Sequence, residues 1–415
     1  MVLNYIWISF FIIAFLVSLA KTFMGNLEIF SLVVNSIFER AELGFKLSLG
    51  LTGIMALWLG IMRIGEKGGA INILSKAFAP LFNKLFPEIP KDSKAHGSII
   101  MNISANMLGL DNAATPLGLK AMAELQKHNN DKDRASNAQI LFLVLNTSGL
   151  TLIPTSIIAL RATAMADNNI IGNPTDIFIP ILIATYCSTL AGLIFVSIIQ
   201  KINLFQKIVL AYLGSATAII GGLVWYLALH KQQIEVISSI VSGAFIFGFI
   251  ISFILLGLKN KINIYEEFVE GAKDGFNVAV KIIPYLIAML CAIGAFTTSG
   301  AMQFIIGGID SFFSLFLSDT RFVEALPTAI MKPLSGGGAR GMMVESWGQN
   351  AININSFVGK LTSTLQGSTE TTFYVLAVYF GAVGIKNTRY AIVAGLFADL
   401  IGVIAAIVIA YLFWG

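Results

Sequence analysis

Apolar runs of about 18 to 28 residues recur near residues 3–20, 45–63, 139–160, 177–199, 207–229, 236–258, 282–299, 353–380 and 390–413. A helix needs about 20 such residues to cross roughly 30 Å of hydrocarbon. The pattern therefore predicts an all-α integral membrane protein with about nine transmembrane helices. Two further segments, near 97–119 and 323–350, carry too many polar residues and glycines to span and are expected as re-entrant hairpins. Segments 68–86 and 301–317 have a third pattern. In "INILSKAFAPLFNKLF" the lysines fall eight residues apart between large apolar groups, as in a helix lying at a membrane surface or at an oligomer contact.

The pattern also repeats. At an offset of 231, "ERAELGFKLSLG" (39–50) runs over "EGAKDGFNVAVK" (270–281), aligning Gly44 with Gly275, Phe45 with Phe276, Gly69 with Gly300 and Ala70 with Ala301. At an offset of 220, "LNTSGLT" (145–151) runs over "LQGSTET" (365–371), aligning Ser148 with Ser368 and Thr151 with Thr371. Five crossings lie between the starts of the two units, which gives them opposite orientation. Inverted-topology repeats of this kind place a substrate site near the bilayer midplane, where broken helices meet. The expected organisation is an added N-terminal helix (1–24), a first unit (31–200), a linking helical pair (201–262) and a second unit (263–415).

Composition agrees, with 56% hydrophobic and only 12% charged residues and a mean hydropathy of +0.80, far from the soluble range. The first run has no basic leader and only "SLAKT" as a weak cleavage site, so it is expected as a retained helix. The net charge of +4 follows topology rather than nucleic acid, because Lys and Arg collect on the cytoplasmic side. With the N-terminus inside, 18 of the 27 basic residues fall inside, among them Arg63, Lys76, Lys84, Lys127, Lys132, Arg134, Lys386 and Arg389. Lys21, Arg40, Lys46, Arg161, Lys231 and Arg321 fall outside. Loop 123–137 is expected to be cytoplasmic, and loop 163–176, which has neither Lys nor Arg, external. The two cysteines, Cys187 and Cys291, stand alone in apolar segments, and His96, His128 and His230 are scattered. These residues supply no disulfide framework, metal motif or cofactor site.

Polar residues gather where an inverted-repeat carrier needs them. The first unit has Asn102, Asn106, Asp111, Asn112 and Thr115 ahead of Pro116; Pro after Asn or Thr predicts a helix start, whose free N–H groups attract polar or anionic groups. The second has Ser335, Gly336, Gly337 and Gly338, expected to break a helix and let backbone amides approach a ligand, followed by Arg340. No GxxxxGK[ST] phosphate loop occurs, which disfavours an ATPase. "NTSGLTLIPT" (146–155), with Asn146, Thr147 and Ser148, and "QGSTETT" (366–372), with Gln366, Ser368, Thr369, Glu370 and Thr371, interrupt two spans. Non-helical backbone at that depth must be buried in protein or line water. Any single hydroxyl there could instead bond the preceding turn and pack against a neighbour.

"GLDNAATPLGLKAMAELQ" with "LNTSGLTLIPTS" resembles the spore maturation protein A pattern, and "KPLSGGGARGMM" with "LQGSTETTFYVLAVYFGAVGIKNTRYA" and "GLFADLIG" resembles spore maturation protein B. The chain resembles a fusion of the two over about residues 40–410, which makes the first unit A-like and the second B-like. Their shared segment is the nucleoside-recognition or gate-type domain, also known in concentrative nucleoside transporters and in ferrous iron transporter B. The resemblance implies a transporter-like fold with a nucleoside-like solute as its inherited substrate. Asp111 replaces the familiar Gly of "LGNAATP", adding a carboxylate, and no GTPase domain is attached.

The expectation is a secondary transporter or permease of a small polar or anionic metabolite in the bacterial inner membrane, not an enzyme. The alternative is an envelope-assembly or regulatory membrane protein that keeps a transporter fold. Arg340 would offer its planar fork to a carboxylate or phosphate, and Glu370 would take a cation or proton; alternatively the two form an ion pair that pins the hairpin. Expected partners are membrane lipid, the solute and a coupling ion, H+ or Na+, with a homo-oligomer as a candidate assembly and no nucleic acid.

Overall fold

The computed structural model describes residues 2–90, 93–108, 111–230 and 233–415; the side chains of Asp111 and Asn112 lie outside the described residues. The first half runs through α1 (Val2–Phe23), α2 (Ile29–Lys67), α3 (Ala70–Leu85), α4 (Lys94–Met107), α5 (Asp111–Lys127), α6 (Asn137–Thr147), α7 (Thr155–Asp167) and α8 (Phe178–Gln200). α9 (Lys207–Leu229) and α10 (Ile234–Lys259) follow. The second half holds α11 (Ile264–Thr298), α12 (Ala301–Phe313), α13 (Leu326–Met331), α14 (Gly336–Ser346), α15 (Phe357–Gly367), α16 (Thr372–Ala382) and α17 (Ala391–Trp414). Among the described residues no β-strand occurs beyond one bridge between Arg134 and Asn387. Six of the described helices are long and apolar enough to cross a membrane, or seven if the bent pair of α11 and α12 forms one span. This is a multi-pass membrane protein. Large apolar side chains such as Phe15, Ile219, Trp225, Phe247 and Leu255 stay exposed on α1, α9 and α10, on surface suited to hydrocarbon.

Each of the nine apolar runs holds helix, but those at 139–160 and 353–380 are each split in two. α6 ends at Ser148; Gly149 then takes a left-handed φ of +60° and Pro154 precedes α7. α15 ends at Ser368, and Thr371 precedes α16. α6 and α15 are both 11 residues long, and serines 220 positions apart, Ser136 and Ser356, cap their N-termini. Gly69 and Gly300, 231 positions apart, both adopt left-handed φ, +84° and +92°, and turn a long helix into an amphipathic one, α3 or α12. A side chain with a Cβ is strained in that region.

α2 and α11 lie antiparallel along a seam of small residues. A Cβ on Gly44 would stand 3.2 Å from the Ile287 Cα, on Gly271 2.4 Å from the Leu59 carbonyl oxygen and on Gly275 2.5 Å from the Ala56 Cα. Without a hydrophobic difference between lipid and side chain, close backbone approach is what holds such helices together. Ion pairs add to the seam and its surroundings, with Arg63 on Glu267 at 2.8 Å and Arg40 on Glu345 of α14 at 2.7 Å.

Two local expectations are corrected. Pro116 does not open its helix, because α5 begins at Asp111 and Pro116 sits in its second turn. Gly336, Gly337 and Gly338 do not break a helix; they form the first turn of α14, capped by Ser335, whose Oγ accepts the Gly338 N–H at 3.0 Å. A helix start has no preceding turn to lose, so consecutive glycines are tolerated there while the chain reverses direction. Arg161 lies fully buried on α7, where it donates to the Ile354 carbonyl (2.9 Å), Ser363 Oγ (3.3 Å) and Asp176 Oδ1 (3.0 Å). The guanidinium thereby ties α7 to α15 and its preceding turn.

Candidate functional site

The two breaks touch one another. The Glu370 N–H donates to the Thr147 carbonyl at 2.8 Å, and a Cβ on Gly149 would lie 2.9 Å from Glu370 Cγ. Glycine with its positive φ is thus required where the interruptions touch. Each break also leans on its own hairpin: the Leu152 N–H donates to the Met107 carbonyl at 2.9 Å, and the Phe373 N–H to the Pro333 carbonyl at 3.0 Å. These bonds occupy main-chain groups that the interrupted helices leave without an intrahelical partner.

A cavity of about 280 Å³ opens at this crossing. The hairpins give it Asn106, Ala114 and Thr115 from one side and Lys332, Gly336 and Arg340 from the other. The breaks add Asn146, Thr151 and Thr155 from the first and Gln366, Thr369, Glu370 and Thr371 from the second, with Tyr374 and Tyr379 of α16 closing the wall. Gly336 and Arg340 are one helical turn apart, which puts both on one face of α14. The α7 and α16 N-termini also border the cavity, and neither carries a side-chain cap. Uncapped helix starts present partial positive charge and N–H donors. With Lys332 and Arg340 against Glu370, the wall suits a solute that is anionic or carries an anionic group.

The amides are pre-oriented. Asn106 Nδ2 donates to Asn146 Oδ1 at 2.7 Å, and Asn146 Nδ2 donates to the Phe142 carbonyl at 2.8 Å. Gln366 Nε2 reaches the Gly336 carbonyl at 3.3 Å, while its Oε1 is buried without a hydrogen-bond partner among the described residues. An orphaned buried acceptor costs about 1–3 kcal/mol and marks a place where a solute N–H or O–H, or water, would be welcome.

Of the residues singled out from sequence, the cavity gathers Asn106, Thr115, Asn146, Gly336, Arg340, Gln366, Thr369, Glu370 and Thr371. Others stand behind the wall. Asn102 is fully buried and donates to the Ala114 carbonyl at 2.8 Å and Tyr379 Oη at 3.4 Å, so it positions rather than lines. Thr147, Ser148 and Ser368 bond carbonyls three residues back, which is the packing role open to any single hydroxyl. Ser335 caps α14, and Gly338 packs against Met331, where a Cβ would fall 2.3 Å from Met331 Cε. Gly337 does not reach the cavity. Asp111 and Asn112 lie outside the described side chains.

Sequence reasoning missed Lys332, Tyr374, Tyr379 and, beside the cavity, Asp399. Asp399 is 3% exposed on α17 and accepts from Thr372 Oγ1 at 2.7 Å. A carboxylate in the middle of a 24-residue apolar helix was signal enough, since ionisable groups in spans are costly and usually functional.

The chain matches the Gate family, described as nucleoside recognition, in two segments, residues 48–164 and 279–386. It is 39% identical over 191 residues to spore maturation protein A of Bacillus subtilis (strain 168), covering 46% of this chain and 92% of that one. It is 46% identical over 162 residues to spore maturation protein B of the same organism, covering 39% of this chain and 88% of that one.

Proposed function

The chain belongs to the Gate family of nucleoside-recognition membrane domains, and from that premise we propose that it is a secondary transporter or permease for a small polar or anionic metabolite, with nucleoside-like solutes the first class to try. The observation that carries the reading is the cavity at the crossing of the two broken helices, lined from both halves of the chain and furnished with Lys332, Arg340, Glu370 and a set of amides and hydroxyls. Broken helices meeting around a polar cavity are the recurring plan of carriers built from inverted repeats. The two matched segments, the equal half-helices α6 and α15 and the left-handed Gly69 and Gly300 support units at 31–200 and 263–415 that arose by duplication. In this reading Arg340 and Lys332 hold an anionic group, Glu370 and Gln366 Oε1 accept from solute donors, and Asn146 and Asn106 fix the remaining polar edge. The protein is a carrier, not an enzyme. The excess of basic residues in loops such as 123–137 supports a cytoplasmic N-terminus in a bacterial inner membrane.

Thermal-shift screening of the purified full chain against nucleosides, nucleotides and small carboxylates, followed by proteoliposome uptake of each hit, tests this. A true ligand at 100 times its Kd should stabilise the fold by about 2.7 kcal/mol. Its binding should weaken in Arg340→Lys and Asn146→Leu while their unliganded melting stays near that of the parent. If nothing in the panel stabilises the protein, and loaded liposomes take up solutes no faster than empty ones, the transport reading is wrong. The alternative, an envelope-assembly or regulatory role on a retained transporter scaffold, would then stand.

A further inference from the structure

Three asparagines stand where the first hairpin meets the first break, and their hydrogen bonds decide which way one of them faces. Asn102 and Asn106 are four residues apart on α4 and share a face. Carbonyl oxygens can only accept, so amide nitrogens must turn to them: Asn102 Nδ2 to the Ala114 carbonyl and Asn146 Nδ2 to the Phe142 carbonyl, both at 2.8 Å. The side-chain oxygens of both then point at Asn106, whose Nδ2 donates to Asn146 Oδ1 at 2.7 Å and to Asn102 Oδ1 at 3.5 Å. A side-chain amide has two hydrogens to give, and Asn106 has spent both. What it has left is Oδ1, to which no group donates among the described residues, and Asn106 borders the cavity.

Tyr379 closes the circuit from the other half of the chain. Its hydroxyl accepts from Asn102 Nδ2 and donates to Asn146 Oδ1, each at 3.4 Å, so a single O–H joins the two ends of the triad. The tyrosine is itself held in place. Its ring stacks on Phe142 with centroids 5.6 Å apart, and its hydroxyl fills the notch left by Gly118, where a Cβ would collide with it. Thr151, also on the cavity wall, is turned in the same sense: its Oγ1 gives its hydrogen to the Gly149 carbonyl at 3.0 Å and keeps only lone pairs to offer. The bond from the Leu152 N–H to the Met107 carbonyl keeps Thr151 beside the end of α4.

We propose that this corner of the cavity is an acceptor corner, where Asn106 Oδ1 and Thr151 Oγ1 select solutes that turn an N–H or O–H toward it, and that Tyr379 is the positioning residue that fixes Asn106 in this sense. Resting on the transport reading above, this narrows the substrate class to small polar solutes with a hydrogen-bond donor on that edge, such as a hydroxy acid or the N–H edge of a nucleobase. A solute that presents only a carboxylate or an ether oxygen there sets lone pairs against lone pairs. Burying those acceptors without a donor weakens binding by about tenfold or more.

Side-chain amide hydrogen exchange, read by NMR on the full chain in nanodiscs with isotope-labelled asparagine and no solute, tests the orientation. The Asn106 signal is the one lost in Asn106→Asp or, if that variant does not fold, in Asn106→Ala. Its hydrogens should exchange about tenfold or more slowly than those of Asn130, exposed in loop 123–137, and should speed up in Tyr379→Phe. Exchange as fast as that of Asn130 puts the nitrogen in the cavity and overturns the proposal. Selectivity is read by thermal shift with two matched pairs, uridine against its base N-methyl derivative and lactate against its O-methyl ether. The methylated partner should bind about tenfold or more weakly, and that ratio should shrink toward one in Tyr379→Phe and in Asn106→Ala. A merely structural tyrosine would lower the melting temperature and leave the ratio alone. A ratio that survives both changes and disappears in Glu370→Gln also overturns the proposal. Because the exchange measurement needs no solute, a failed uptake screen sinks the transport reading alone, whereas fast Asn106 exchange sinks the acceptor corner alone.

Discussion

Replacing Arg161 with methionine removes a guanidinium that is 0% exposed while keeping most of the side chain's apolar length. Breaking a buried ion pair commonly costs about 3–5 kcal/mol, chiefly because the remaining charge is stranded. Here it is not stranded, since Asp176 keeps Lys360 at 3.3 Å and its side chain is 15% exposed. The larger loss falls on the Ile354 carbonyl, which Arg161 serves at 2.9 Å, and an unsatisfied buried acceptor costs about 1–3 kcal/mol. The sum points to the low end, about 3 kcal/mol. Arg161→Lys keeps the charge but has one point of donation where the fork has several, so it cannot serve Ile354 and Asp176 together and should lose about 1–2 kcal/mol. Equilibrium unfolding of the full chain in mixed micelles, followed by tryptophan fluorescence, measures both. The double variant Arg161→Met with Asp176→Asn should cost clearly less than the two single changes added, as coupled groups do. Stability of Arg161→Met within about 0.5 kcal/mol of the parent, the range of an ordinary surface change, would refute the idea that this guanidinium ties α7 to α15.

Gly275→Ala should destabilise by about 1–3 kcal/mol or more by overpacking, because the added Cβ meets the Ala56 backbone at 2.5 Å; Gly53→Ala on α2, with nothing within 4 Å, should melt like the parent. In a background lacking Cys187 and Cys291, cysteines at Lys132 and Ile171, both exposed, should react with an impermeant maleimide from opposite faces; labelling from one face would end the inverted-orientation argument. Asp319 outside the spans is held down to about 2 from an ordinary 3.8 by hydrogen bonds from Arg321. Its folded value is depressed, so its contribution is present above pH 3.8 and fades as pH falls toward 2. NMR titration of Arg321→Gln should show that carboxyl back near 3.8, and an unchanged titration would rule out the Arg321 bonds as the cause.

What sequence made visible and what it hid divide along physical lines. Apolar run length is read directly from the sequence, so most helix positions are legible from it, although α2 and α11 begin at Ile29 and Ile264, well ahead of the runs at 45–63 and 282–299, because their first halves are amphipathic; the paired glycines at 69 and 300, both left-handed in φ, align in sequence as well. The polar interruptions were legible too, since Gly149, Pro154 and Thr371 cannot sit comfortably inside a lipid-exposed helix. Which member of each interruption faces the cavity was not, because that depends on how two breaks 220 residues apart cross. Thr147 and Thr369 look alike in sequence, yet one bonds its own helix while the other lines the wall. The charge count puts Arg161 simply outside, and is blind to a cation that finds its carboxylate, Asp176, across a turn. Asp399 stands in "GLFADLIG", where the cost of a carboxylate inside an apolar helix, rather than the motif's resemblance, is what marks it.

The shortness of α6 and α15 bears on electrical behaviour. Eleven residues make a half-helix about 16 Å long at 1.5 Å per residue, roughly half the hydrocarbon thickness. The crossing at their inner ends therefore lies about halfway through the membrane voltage. A unit charge that travels from one side to that point does about half of the roughly 2.3 kcal/mol of work per 100 mV that full passage entails. Polarisation of the membrane would accordingly bias occupancy of the crossing by an anion roughly sevenfold per 100 mV, on the scale where about 1.4 kcal/mol is a factor of ten. Affinity measured in detergent, where no voltage exists, would then differ from affinity in an energised membrane without any change in the contacts themselves.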